Sequence, residues 1–142
     1  MVLRIWNSYW FRAAPLFDLA VVRIVVVTVQ LWHLPSLTQF RALADLPAAL
    51  YNPGLLVRLL MLPFGIEQQP SYLEFSVVYW VVVIAGGLAL IGLWTNLSLF
   101  VFALGNAFLI AQMYSFGEIH HPEALIAIAL GVLAFSPLLG NF

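Results

Sequence analysis

Four long apolar stretches, separated by short polar punctuation, organise this chain. The first, Leu16–Leu34, follows Pro15, whose fixed φ suits the opening turn of a helix. The others are Phe75–Trp94, Leu97–Tyr114 and Ala124–Leu139. At ~1.5 Å rise per residue, about 20 residues cross the ~30 Å hydrocarbon core of a bilayer. The pattern therefore predicts an all-α membrane protein, a four-transmembrane-helix bundle forming a single domain. The fourth stretch is short and contains Pro137, so it is expected to kink, thin the bilayer or continue beyond the chain.

The connections are informative. Thr95-Asn96 alone joins the second and third stretches as a tight helical hairpin, and Ser115–His121 joins the third and fourth. Pro35–Glu74 is much longer. Within it, Ser36–Leu50 and Gly54–Phe64 carry apolar residues at near-helical spacing, broken by Pro47, Pro53 and Pro63. Neither piece is long enough to cross, so both are expected to lie on the membrane surface or re-enter partway. At the N-terminus, Trp6, Tyr9, Trp10 and Phe11 lie between Arg4 and Arg12, the pattern of an interfacial helix rather than a cleavable signal.

Composition sharpens this picture. The chain is 64% hydrophobic and 8% charged, with a mean hydropathy of +1.04. Too few charges are present to clothe a soluble surface, and lipid must take their place. There is no cysteine, which excludes disulfides, thiolate metal sites and iron–sulfur clusters. Every cation is arginine, so Schiff-base chemistry and a lysine base are excluded. A net charge of −1 offers no footprint for nucleic acid. Arginines tie at two each on the two sides, and the lean is to cytoplasmic termini in a bacterial inner membrane.

Four crossings put His33, Glu67, Glu74, Glu118, His120, His121 and Glu123 on one side, with Gln30 and Gln112 about a turn deeper. Glu118/His121 and His120/Glu123 are both i, i+3 pairs, the spacing at which a carboxylate and an imidazole face one ligand. Two readings stand. Pro122 and Glu123 form an ordinary helix start, or the turn contacts a ligand, a proton or a quinone. His33, beside Trp32, is read as an interfacial anchor or as a ligand to a haem iron or a chlorophyll magnesium. The sequence requires no cofactor and contains no complete metal site.

Arg23 is the most costly residue, at ~2.5–3.5 kcal/mol in mid-span on the insertion scale. Asp18 lies ~140° round the same helix and is a poor partner. Asn106 or the carbonyls near Gly86 and Gly87 are the alternatives across the bundle, and snorkelling towards Arg12 is the other course. Small residues mark packing faces: Ala103, Ala107 and Ala111 at four-residue intervals, Ala127 and Gly131, and the Gly86-Gly87 pair.

The segment His120–Pro137 resembles the corresponding segment of bacterial HTTM-domain proteins, the membrane domain shared with vitamin K-dependent gamma-carboxylases. Pro15-Leu16 leading to Arg23 and His33 supports the likeness. The resemblance implies a histidine near a reduced vitamin K site, a place that His120 or His121 would take. Those carboxylases also use a lysine base and a large lumenal domain, which this chain does not have, so carboxylation is not expected; the family also continues with further helices, so a minimal or truncated relative is implied. The Gly92–Asn96 hairpin, the length and the arginine in the first span are equally similar to DoxX-like membrane proteins, some of them quinone-linked. Two functions follow as expectations: a non-catalytic accessory subunit of a larger respiratory or photosynthetic complex, or a quinone- or lipid-linked oxidoreductase component. A small transporter or channel has few intramembrane polar groups to work with.

Overall fold

The computed structural model describes residues 16–61, 68–117 and 128–134. All regular structure among them is helical. Helix α1 is Leu16–Trp32, α2 is Leu37–Ala44, a 3₁₀ turn covers Ala48–Leu50, and α3 is Leu55–Met61. Helix α4 is Tyr72–Ile91 and α5 is Thr95–Tyr114. Of the expected fourth span, only residues 128–134 are described, and they are helical. The expected N-terminal interfacial helix lies outside the described residues.

Helices α4 and α5 are long and apolar enough to cross a membrane, at 20 residues each with hydropathies of 2.0 and 1.7. Helix α1 has 17 residues, about 26 Å at ~1.5 Å per residue, and falls short by itself. Ala20–Trp32 and Leu37–Ala44 make a third crossing only if taken as one span bent by 51°. The described residues thus hold two or three candidate crossings.

Local chemistry sets the ends. Ser71 caps α4 in a capping box, its N–H donating to the Glu74 carboxylate at 2.6 Å while Glu74 N–H reaches the Ser71 hydroxyl. Ser36 N–H donates to Gln39 Oε1 at 2.8 Å to open α2. Gly92 ends α4 with a φ of 79°, a left-handed conformation that glycine adopts without a Cβ penalty. The turn is therefore Gly92–Trp94, with Trp94 also at positive φ, and Thr95-Asn96 is not the turn but the first step of α5.

Packing centres on the α4–α5 hairpin, flanked by α1 and α2 on α4 and by α3 on α5. Phe40 is fully buried and stacks on Phe75 with ring centroids 5.3 Å apart, with Tyr79 edge-on to it. That contact docks α2 against the first half of α4. Val57 and Met61 of α3 sit on Ala111 and Phe108. Where such helices cross a bilayer, apolar burial gains nothing over lipid tails, and close contact and polar pairs hold a bundle together. Gly86 supplies one such contact, since a Cβ there would lie 2.8 Å from the Phe102 ring and 2.9 Å from Leu31. Gly105 supplies another against Val82.

Candidate functional site

The polar side chains of the bundle form three clusters. The deepest joins Gln30 and Asn106, at 2% and 0% exposure. Gln30 Nε2 donates to Asn106 Oδ1 at 2.9 Å, and Asn106 Nδ2 donates to the Phe102 carbonyl at 2.8 Å. Gln30 Oε1 is buried and has no partner. Asn106 therefore serves Gln30 rather than Arg23.

Arg23 reaches the α4–α5 turn. Its Nη1 donates to Thr95 Oγ1 at 3.5 Å, and Thr95 in turn donates to the Gly92 carbonyl at 3.0 Å. The guanidinium lies against Gly92, where a Cβ would stand 3.5 Å from Nη2. The carbonyls near Gly86 and Gly87 are not its partners. With Arg23 beside Thr95 and Gln30 beside Asn106, α1 runs parallel to α5 and antiparallel to α4.

The third cluster stands at the opposite end from that turn. Tyr51 Oη donates to Gln112 Oε1 at 3.0 Å, and Gln112 Nε2 points to Met61 Sδ at 3.4 Å. Burial raises the Tyr51 phenol above its ordinary value of 10.0, and the Gln112 bond lowers it by less. Asn52 N–H donates to the Ser115 carbonyl at 2.9 Å, and the Tyr51 ring lies 5.3 Å from Phe116. The long connection is thus fastened to the end of α5, immediately before the sequence Gly117–Glu123. Gln69 Nε2 caps α2 from the same end, donating to the Leu43 carbonyl at 2.8 Å.

Two grooves flank this cluster. Tyr51, Ala48, Pro53, Gln68, Gln69 and Ser71 line an open one of about 500 Å³. Met61, Leu73, Glu74, Val77 and Phe108 line an apolar one of about 300 Å³, and Pro70 borders both.

His33 makes a local bond, Nδ1 to the Val29 carbonyl at 2.8 Å, and is exposed. Glu74 serves the α4 cap. Glu118, His120, His121, Glu123 and Ala127 lie outside the described residues. Ala103 and Ala111 are buried, Ala107 is half-buried, and Gly87 and Gly131 have open space where a Cβ would stand. Among the described residues no three His, Cys, Asp or Glu side chains converge on a metal position.

Sequence reasoning missed Tyr51, Thr95, Gln69 and Gly105. Tyr51 opens an irregular Tyr-Asn-Pro-Gly segment whose proline marks a break in the sequence, but its partner, Gln112, is 61 residues away. No protein-family model, curated protein or solved structure matches the chain.

Proposed function

We propose that this chain is a small integral membrane protein of four spans, acting as a non-catalytic accessory subunit packed against a larger membrane complex. The observation that carries the reading is the outer face of α4. Leu73, Val77, Trp80, Ile84 and Ile91 are 55–72% exposed and recur at helical spacing as one apolar stripe. Gly87 interrupts that stripe, and nothing lies within 4 Å of where its Cβ would stand. A notch of this kind lets a second helix approach closely in lipid. The described polar clusters, by contrast, are spent largely on fastening the chain's own helices to one another. A bacterial inner membrane with cytoplasmic termini, a respiratory or photosynthetic partner, and kinship to HTTM or DoxX-like proteins belong to the same proposal.

The test is Gly87→Leu. Because the position is open, the bundle should keep its fold, while native gels of mildly solubilised membranes should show the chain released from a larger assembly. A chain that migrates alone before any substitution sinks the reading.

A second reading, a quinone- or lipid-linked oxidoreductase component, draws support from the paired grooves beside Tyr51. A polar mouth bearing a phenol and two amides above an apolar groove suits a flat head with a hydrophobic tail. Glu118, His120 and His121 follow in sequence soon after Phe116, whose ring lies tilted against Tyr51. Identification of a quinone bound to protein extracted from its own membrane would favour this reading over the first.

A further inference from the structure

We propose that the α4–α5 turn and the groove beneath it bind one phospholipid, with its phosphate at Thr95, Asn96 and Arg23 and an acyl chain between the two helices. The site rests on the membrane reading but not on any partner complex. It lies at the opposite end of the bundle from Tyr51.

The starting observation is a cation without an anion. Among the described residues no carboxylate pairs with Arg23. Its bond to Thr95 Oγ1, at 3.5 Å, is long, and its Nε is buried without any partner. The carbonyls at the end of α4 offset the charge only partially, since a helix terminus carries about half an elementary charge. Asp18, exposed on α1 five residues before Arg23, is the acid at this end and makes no ion pair with it. The guanidinium thus brings Nη1 and Nη2 to the turn with its charge uncompensated among the described residues. A phosphate accepts such a fork well.

The second observation is a shape. Trp94, Thr95, Asn96 and Leu97 line an open cleft of about 510 Å³ at the turn. Directly beside it, Val81, Ile84, Ala85, Leu88, Ser98 and Val101 line an almost wholly apolar groove of about 260 Å³ between α4 and α5. Trp94 and Leu97 border both, so the cleft, with Thr95 and Asn96 on its wall, adjoins the apolar groove. Thr95 links the arginine to the cleft, because its hydroxyl accepts from Arg23 and it also forms part of the cleft wall. Trp94 is 77% exposed, as suits an aromatic at headgroup depth. A soluble anion would leave the groove unused, and an uncharged lipid would leave the arginine unanswered. A phospholipid answers both.

The test uses the full chain in mild detergent, stripped of lipid and titrated by native mass spectrometry. One phosphatidylglycerol should bind per chain, while diacylglycerol with the same acyl chains and inorganic phosphate should not. Arg23→Gln should weaken the phosphatidylglycerol affinity about tenfold, the scale of one hydrogen bond to a charged group. Asn96→Asp, at an exposed position, should do the same by placing a negative charge in the cleft, and Ile84→Trp by filling the groove. Circular dichroism should show unchanged helicity. If Arg23→Gln loses helicity, the other two variants decide. Equal binding of diacylglycerol would overturn headgroup recognition, and tight binding of inorganic phosphate would make the ligand a soluble anion. Unchanged affinity in both Asn96→Asp and Ile84→Trp would place the lipid elsewhere. Each of these results overturns the proposal.

Discussion

Gln30 and Asn106 tie α1 to α5 with a bond that neither residue can replace with water, since both are all but fully buried. Their cost and their use have one origin. A buried amide without a partner is penalised, so each amide holds the other helix in register. Asn106→Ala removes the amide oxygen that accepts from Gln30 and should lower unfolding stability in mixed detergent micelles by about 1–2 kcal/mol. Replacing both by leucine should come close to neutral, because no amide is then stranded. An Asn106→Ala variant as stable as the parent would remove this bond from the account. Arg23 makes the same point for a charge. The cost of a mid-span arginine was legible from composition and position, but its partner was not. Thr95 is 72 residues away, and a hydroxyl beside the α4–α5 turn carries no sequence signal of that pairing.

At the scale of elements, two adjacent glycines divide the work of α4. Gly86 faces inwards, against Phe102 and Leu31, while Gly87 faces open space. Gly86→Ala should destabilise the bundle by about 1 kcal/mol net, since ~1–3 kcal/mol of overpacking outweighs the ~1 kcal/mol of helix propensity gained. Gly87→Ala should be neutral or slightly stabilising, because only the propensity gain applies. Thermal unfolding of the two variants side by side checks the opposite signs, and equal effects would contradict the packing. The pair was visible in the sequence as a packing mark, but which member packs depends on 100° of rotation about the helix axis, which only neighbouring helices fix. The short helices of the long connection show the same limit. Prolines delimited them, yet Phe40 stacking on Phe75 and Met61 beside Gln112 are what dock them on α4 and α5.

For the whole molecule, the order of contacts along α1 and α5 places the α4–α5 turn at one end and Tyr51, Gln112 and Ser115 at the other. If α5 crosses the membrane, those ends face opposite phases. The chain has no cysteine, so single introduced thiols report topology cleanly. A cysteine at Asn96 and one at Asn52 should react with an impermeant maleimide from opposite sides of sealed vesicles, and labelling of both from one side would exclude a crossing by α5. Composition alone determined that the chain is helical and rich in segments suited to lipid, because apolar runs of such length leave the backbone no partner but itself. Period and proline placed most helix boundaries to within a few residues. Where the turn falls was decided by Gly92, whose positive φ ends α4 before the polar Thr95-Asn96 pair is reached. Which polar residues meet was decided only by the tertiary structure. Gln30–Asn106, Arg23–Thr95 and Tyr51–Gln112 each join residues more than 60 positions apart. Pairing at that range depends on helix rotation and register, which a single chain's pattern of apolar and polar positions does not encode.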